Sequence, residues 1–252
     1  MYTLDNSFAV SRSRFEVVVA GCGGTGGFVA EGLCRILPAN ALLVLVDHDR
    51  VAERNLMRQN FTREDLGQIK SEALARRLSR KYQRPVAYST LPIGLTPLKD
   101  VGIVVGCVDN GPARRDIARI FTRHEYRAPA WWIDSGNGEN YGQVLIGNCP
   151  DKAGYTMQAD NGKWQWLPLP TLQRPDLLAQ QPTAINCADI SEQGPTINQG
   201  MAALVIEVIR RMIEGTCSWL QLYLDMSTGT LSPVLATPEA IEDIIGKKFK
   251  RR

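Results

Sequence analysis

Gly21, Gly23 and Gly26 stand in a Gly-x-Gly-x-x-Gly spacing after the β-branched run 17–19, with Gly24 among them and a helix-period pattern (Phe28, Val29, Leu33, Ile36, Leu37) beyond. The first glycine allows a tight turn, the second lets a phosphate approach the backbone, and the third lets the helix pack closely on the strand. A helix N-terminus offers unpaired N–H groups and a partial positive charge, so the expected guest is an anion. Asp47 ends the next strand, about twenty residues past the last motif glycine, where a carboxylate can accept hydrogen bonds from ribose hydroxyls. This set calls for a nucleotide without choosing among NAD, FAD, S-adenosylmethionine and ATP.

The elements that must hold these residues alternate. Residues 17–19, 41–46, 86–91, 101–108 and 130–134 read as apolar strands, and 70–82 as an amphipathic helix with Ala73, Leu74 and Leu78 on one side and Arg76, Arg77, Arg80 and Lys81 on the other. A helix over 113–125, a returning strand over 143–146 after the glycine-rich turn SGNGENYGQ, and a late helix over 197–213 follow. The end, LQLYLDMSTGTLSPVL, carries a hairpin signal at Ser-Thr-Gly. Alternation of this kind predicts a Rossmann-like α/β fold, a mostly parallel sheet with helices on both faces and a C-terminal antiparallel hairpin. The 252 residues, 44% of them hydrophobic and 22% charged, suit one domain over 1–252. Within it we expect a nucleotide-binding half over about 14–135, an irregular crossover segment over 149–195, a late helix and hairpin over 196–235, and a solvated basic tail over 246–252.

Composition narrows the partners. Lys and Arg number 29 against 26 Asp and Glu, a formal charge of +3, which gives no case for nucleic acid. No apolar run reaches the length of a membrane span, and the N-terminus lacks the order of a signal peptide, so a cytoplasmic chain with free thiols is expected. The six cysteines (22, 34, 107, 149, 187 and 217) form no Cys-x-x-Cys pair and only two histidines are present, so no structural zinc is expected.

The stretch after Asp47 chooses the nucleotide. It reads DHDRVAERNLMRQNF, then GQIK, then CVDNGPARR after a later strand. These motifs resemble the ThiF/MoeB/HesA superfamily of adenylating enzymes, which includes the ubiquitin-activating enzymes. The family pattern is met by Asp47, Asp49, Val51, Asn55, Leu56, Arg58, Gln59, Gly67, Lys70, Asp109, Asn110 and Arg114. The resemblance runs from about residue 17 to the hairpin, and NCADISEQGPTINQ looks most like the ThiF-like proteins of PRTRC gene clusters. It implies ATP-dependent adenylation of the C-terminal carboxylate of a small ubiquitin-like or sulfur-carrier protein with a glycine-rich tail, or of a peptide. It also implies a homodimer in which Arg12 or Arg14 reaches the neighbouring site, and acyl transfer to a cysteine. Cys187, in the loop before the late helix, is the expected nucleophile and Cys149 its competitor.

The residue types suit that chemistry. A carboxylate attacking the α-phosphate of ATP brings anions together, so the barrier yields to fixed positive charge and donors. Arg58 and Lys70 supply charge, Asn55 and Gln59 neutral donors, and Asp109 a ligand for Mg²⁺ on the phosphates. Taken singly, Arg58 and Lys70 read as helix-surface charges and Arg114 as a solvated one. Asp49 reads as the N-cap of a helix starting near Arg50, His48 as a partly exposed structural residue, and Trp131 and Trp132 as packing. An NAD(P)-dependent oxidoreductase explains the glycine loop and Asp47, but no Tyr-x-x-x-Lys pair is present. A non-catalytic nucleotide-binding scaffold is the remaining alternative, against which the intact Arg58, Lys70 and Asp109 argue.

Overall fold

The computed structural model describes residues 15–122, 130–150, 167–179 and 194–246. Arg12, Arg14, Cys187, residues 247–252 of the basic tail and most of the crossover segment lie outside the described residues. Among the described residues eight strands form one sheet: β1 (Phe15–Ala20), β2 (Ala41–Val46), β3 (Val86–Ser89), β4 (Val101–Gly106), β5 (Trp131–Asn137), β6 (Tyr141–Gly147), β7 (Trp219–Asp225) and β8 (Thr230–Leu235), in the order β3-β2-β1-β4-β5-β6-β7-β8. From β3 through β5 neighbouring strands pair in parallel, and from β5 through β8 they pair antiparallel. The fold is α/β and Rossmann-like.

Six helices occur among the described residues: α1 (Gly24–Ile36), α2 (Lys70–Tyr82), α3 (Gly111–Thr122), α4 (Pro170–Gln173), α5 (Pro195–Ile213) and α6 (Pro238–Ile245). Val17 and Val19 of β1 and Leu43 and Leu45 of β2 point into one core, with Leu33 of α1, Leu74 of α2, Val205 of α5 and Ile241 of α6. The alternate residues, Val18, Ala20 and Val44, meet Ile117 and Ile120 of α3 in the other core. Strands buried on both faces need no polar alternation, which is why they read as continuous apolar runs. Trp131 and Trp132 belong to these cores, and Trp132 stacks on Phe121 with ring centroids 6.0 Å apart. The Arg84 guanidinium donates to the carbonyls of Cys34, Leu37, Pro38 and Ala41, covering the last turn of α1 that its own backbone leaves unpaired.

The strand order reverses between β1 and β4, so the crevice at their carboxyl ends is the switch point where open α/β sheets bind ligands. Several boundaries differ from the sequence expectation. β3 stops at Ser89 and β4 at Gly106, whereas β5 and β6 extend through most of SGNGENYGQ, leaving 138–140 as the turn. Glycines there flank a strand end instead of dissolving it, because Gly142 faces Met201 of α5 and has no room for a side chain. The end of the chain adds α6, whose Thr237 side chain caps the Ala240 N–H at 3.2 Å. The crossover is not wholly irregular, since α4 and a 3₁₀ turn at Pro175–Leu178 lie within it.

Candidate functional site

The four loop glycines divide by what surrounds them. Gly21 has φ +89, and a Cβ there would stand 2.9 Å from the carbonyl carbon of Cys107. One on Gly26 would overlap the Gly21 carbonyl oxygen, and one on Gly24 would stand 2.5 Å from Asn198 Cγ. Only Gly23 faces space, its nearest neighbour being Gln59 Nε2 at 3.8 Å from such a Cβ. Gly23 is also the N-cap of α1, with no side-chain cap and no acidic residue in the first turn. The first N–H groups of α1 therefore open onto a side-chain-free space beside Gln59, an arrangement suited to a phosphate.

Asp47 follows β2. Its carboxylate accepts from the Cys22 N–H at 2.7 Å and the Asp49 N–H at 2.8 Å, which fastens the strand end to the glycine loop. Lone pairs remain for a ribose hydroxyl. Burial raises the Asp47 carboxyl from its ordinary value, against the opposing pull of Lys70 and those two N–H groups. Lys70 opens α2, is buried, and places Nζ 3.0 Å from Asp49 Oδ2.

Two sequence readings are corrected here. The nearest helical turn is a 3₁₀ turn at Glu53–Asn55 with Ala52 as its N-cap, so Asp49 is no N-cap: Arg50 bridges Ile69 instead, and the Asp49 carbonyl accepts from the Lys70 N–H at 2.8 Å. Nor is Lys70 a surface charge, because the bridge draws the start of α2 under the Asp47–Asp49 turn. His48, as expected, is largely exposed, its side chain 62% accessible.

Residues between that bridge form an excursion over α1, anchored by buried Phe61 and by Asn60, whose Nδ2 donates to Glu31 Oε2 at 2.9 Å. The excursion presents Asn55, Arg58 and Gln59. Asn55 is buried, and its Oδ1 accepts from the Ala52 N–H at 2.8 Å, which leaves the amide nitrogen as its ligand-side donor. The half-buried Arg58 guanidinium makes no ion pair or hydrogen bond among the described residues. Gln59 Oε1 is buried with no hydrogen-bond partner among the described residues.

Asp109 and Asn110 lie exposed just past β4. Asn110 Oδ1 accepts from the Ala113 N–H at 2.9 Å, capping α3, while its Nδ2 donates to Asp109 Oδ1 at 3.1 Å. Arg114 is not solvated: its side chain is 8% exposed, and Nε donates to Asp134, 0% exposed, at 3.2 and 3.3 Å. Thus Gly23, Asp47, Asp49, Lys70, Arg58 and Gln59 cluster around the end of β1, with Asp109 across the switch point.

The match to a known family settles the kind of protein these residues belong to. Residues 9–215 match the ThiF family. The chain belongs to the ThiF family. In an alignment of 143 residues that covers 49% of its length, this ThiF-family chain is 30% identical to ubiquitin-like modifier-activating enzyme 5 of Drosophila willistoni, and spans 33% of that protein. In an alignment of 111 residues that covers 40% of its length, it is 37% identical to adenylyltransferase and sulfurtransferase MOCS3 of Xenopus laevis, and spans 24% of it. The chain thus spans about a third or less of the curated relatives it matches. PaaA shares the fold with TM-score 0.63 at 16% identity, over 92% of this chain and 75% of that one. E. coli MccB solved with ATP shares it with TM-score 0.61 at 17% identity, over 91% and 64%.

Sequence reasoning missed a buried polar cluster under the glycine loop of this ThiF-family chain. Asn198 Oδ1 accepts from Thr25 Oγ1 at 3.3 Å and from Asn137 Nδ2 at 3.1 Å, and its Nδ2 donates to the Arg58 carbonyl at 3.3 Å. The cluster ties α1, β5, α5 and the excursion together. One signal was available: Asn198 shares the helical stripe of Ile197, Met201, Ala202 and Val205, where a polar residue must find partners. Of the thiols, Cys22, Cys34, Cys107, Cys149 and Cys217 form no disulfide among the described residues. Burial raises those of Cys22 and Cys107, and raises that of Cys34 to about 11, so none of these three is an activated nucleophile. Among the described residues no three His, Cys, Asp or Glu side chains group as a metal site, and no helix is long and apolar enough to cross a membrane.

Proposed function

We propose that this chain activates the C-terminal carboxylate of a small ubiquitin-like or sulfur-carrier protein, or of a peptide, by taking AMP from ATP. The observation that carries the reading is the open, uncapped start of α1 at Gly23, with Arg58, whose guanidinium has no partner among the described residues, and half-buried Gln59 on the excursion above it. A hydride-transfer site needs no unpaired cation at that position. The relatives named as a ubiquitin-like modifier-activating enzyme and an adenylyltransferase, and MccB solved with its MccA peptide, support the class of substrate.

Each residue then has a task. The α1 N–H groups and Gln59 hold phosphate oxygens, and Asp47 accepts from the ribose. Arg58 brings charge to the phosphorus as the substrate carboxylate oxygen attacks and pyrophosphate leaves with the electrons of the broken P–O bond. Lys70, oriented by Asp49, faces the same anions. No proton moves in this step, so the chemistry asks for donors and cations and for no general base. Mg²⁺ fits the donor set, since it binds through one or two carboxylates plus phosphates and water, and Asp109 is an exposed carboxylate at the crevice. There it would neutralise phosphate charge. A homodimer, with Arg12 or Arg14 reaching the neighbouring site, belongs to the same reading.

The reading extends to a second step, in which the Cys187 thiolate attacks the acyl carbonyl and AMP leaves. Cys149 is the weaker candidate because it is 6% exposed and bridged to Pro168. The test is ATP–pyrophosphate exchange driven by a carrier protein ending in Gly-Gly. Exchange that needs carrier and Mg²⁺ supports adenylation, and its absence with every Gly-Gly carrier and peptide tried refutes it. A reductant-sensitive conjugate that Cys187→Ala abolishes supports the second step. A conjugate surviving Cys187→Ala and lost in Cys149→Ala refutes the assignment.

A further inference from the structure

β3 is an edge of the sheet, paired only with β2 among the described residues. The Asp47 N–H donates to the Ser89 carbonyl at 3.2 Å, so Ser89 and, two residues back, Ala87 turn their backbone groups to β2. Val86 and Tyr88 therefore turn theirs outward. The Val86 N–H is satisfied by Ser79 Oγ of α2 at 3.0 Å. The Val86 carbonyl and both backbone groups of Tyr88 have no hydrogen-bond partner among the described residues.

A groove of about 580 Å³ runs between this edge and α2, with Arg76, Ser79, Arg80, Val86 and Tyr88 among its walls. Residues 70–84 carry six cations and one acid. Most of those cations are spent: Lys70 on Asp49, Arg77 on Asp65, Lys81 on Glu31, and Arg84 on backbone carbonyls. Arg76 shares Glu72 with the Tyr88 hydroxyl. The exposed Arg80 guanidinium has no partner among the described residues. The groove thus joins unpaired main-chain groups to an excess of positive charge.

Spacing and charge together define the occupant. Arg76 and Arg80 are four residues apart on α2, about 6 Å along its axis, and alternate side chains of an extended strand stand about 6.6 Å apart on one face. We propose that the β3 edge binds an extended acidic segment of a partner protein, which pairs its main chain with Tyr88 and turns two alternate Asp or Glu side chains to Arg76 and Arg80. A second copy of this chain is disfavoured, because β3 against β3 would set the arginines of both copies together. A nucleic-acid phosphate would satisfy the guanidinium groups but offers no donor to the two outward carbonyls. β3 lies two strands from β1, so an occupied edge leaves the switch-point crevice open, and binding here does not depend on adenylation.

The probe is the capped peptide Thr-Thr-Glu-Val-Glu-Thr-Thr, titrated into the ¹⁵N-labelled full chain and followed by the amide resonances. Saturable shifts centred on residues 86–90, led by the Tyr88 N–H, are expected. Affinity should fall at least about tenfold when both glutamates of the peptide become glutamines, and at least about threefold in Arg80→Gln, which removes no contact among the described residues. N-methylation of the valine blocks one edge of the peptide and N-methylation of both glutamates the other, so one of these two peptides should lose at least about fivefold, the value of a main-chain bond, and the other little. Unchanged affinity of both methylated peptides, or of Arg80→Gln, overturns the strand pairing with its charge recognition. Absence of Tyr88 shifts at about 1 mM peptide also overturns it and leaves the arginines as shielding of an exposed edge. Shifts at the same residues with decathymidylate and none with the peptide overturn it in favour of nucleic acid.

Discussion

Gly24→Ala is expected to change the sign of its effect on stability with the residue at position 198. A Cβ on Gly24 would stand 2.5 Å from Asn198 Cγ and 2.6 Å from its Oδ1, about an ångström inside contact distance. Asn198 is fully buried, and turning its amide away gives up its bonds to Thr25, Asn137 and the Arg58 carbonyl. At 3.1–3.3 Å these are long, so each is placed near the lower end of the net range, for a sum of about 2 kcal/mol. Overpacking adds about 1 kcal/mol or more. Alanine returns up to about 1 kcal/mol of helix propensity. The net loss is about 2 kcal/mol, or a fall in Tm of roughly 4–8 °C for a chain of this size. With Asn198→Ala already present the obstacle is gone, and Gly24→Ala should stabilise by up to about 1 kcal/mol. Urea denaturation of the four proteins in this cycle measures a coupling of about 3 kcal/mol. An equal cost of Gly24→Ala in both backgrounds refutes the reasoning.

Gly23→Ala should unfold with nearly wild-type Tm and bind ATP at least about tenfold more weakly by calorimetry, since only its Cβ enters the open space; unchanged affinity would show that no phosphate sits there. Arg58→Ala should slow carrier-dependent pyrophosphate exchange by about a hundredfold, the value of one lost donor at a transition state, with little change in Tm because the guanidinium has no described partner. Desolvation would raise the Glu31 carboxyl, but hydrogen bonds from Lys81, Tyr82 and Asn60 outweigh it and hold it at about 2. Its folded value lies below its unfolded one, so the stabilisation is present above about pH 5 and lost as pH falls towards 2. Glu31→Gln should therefore lower Tm at pH 7 and leave it unchanged near pH 2; a constant difference across that window would rule out the linkage.

What the chain shows locally, it shows well. Helix 70–82 was legible with both ends because Ala73, Leu74 and Leu78 repeat on one side of a basic face, and the β1–α1–β2 unit because a β-branched run, spaced glycines and Asp47 follow in order. The hairpin 219–235 was legible from its turn. The strand ends in SGNGENYGQ were not, because glycines that signal a turn also occur where a helix crosses closely, as Met201 does over Gly142. Helix α6 went unread, though a Thr-Pro start and the Ile241, Ile244, Ile245 spacing mark it.

The site divides along the same line. The residue types at 47, 49, 58, 59, 70 and 109, with their order along the chain, were enough to propose a nucleotide site and, by resemblance, a chemistry for it. Which of them is free to act was not written there. That Gly23 alone of the four loop glycines faces space, that Lys70 is buried against Asp49, and that Arg114 is spent partly on Asp134 depend on contacts between distant residues. Thr25 and Asn198 meet across 173 positions. Local periodicity records only that a side chain will be buried, because it reflects one element's own two faces. The partner that a buried polar group finds is decided when separate elements pack, and here that choice determines which donors are left for a ligand.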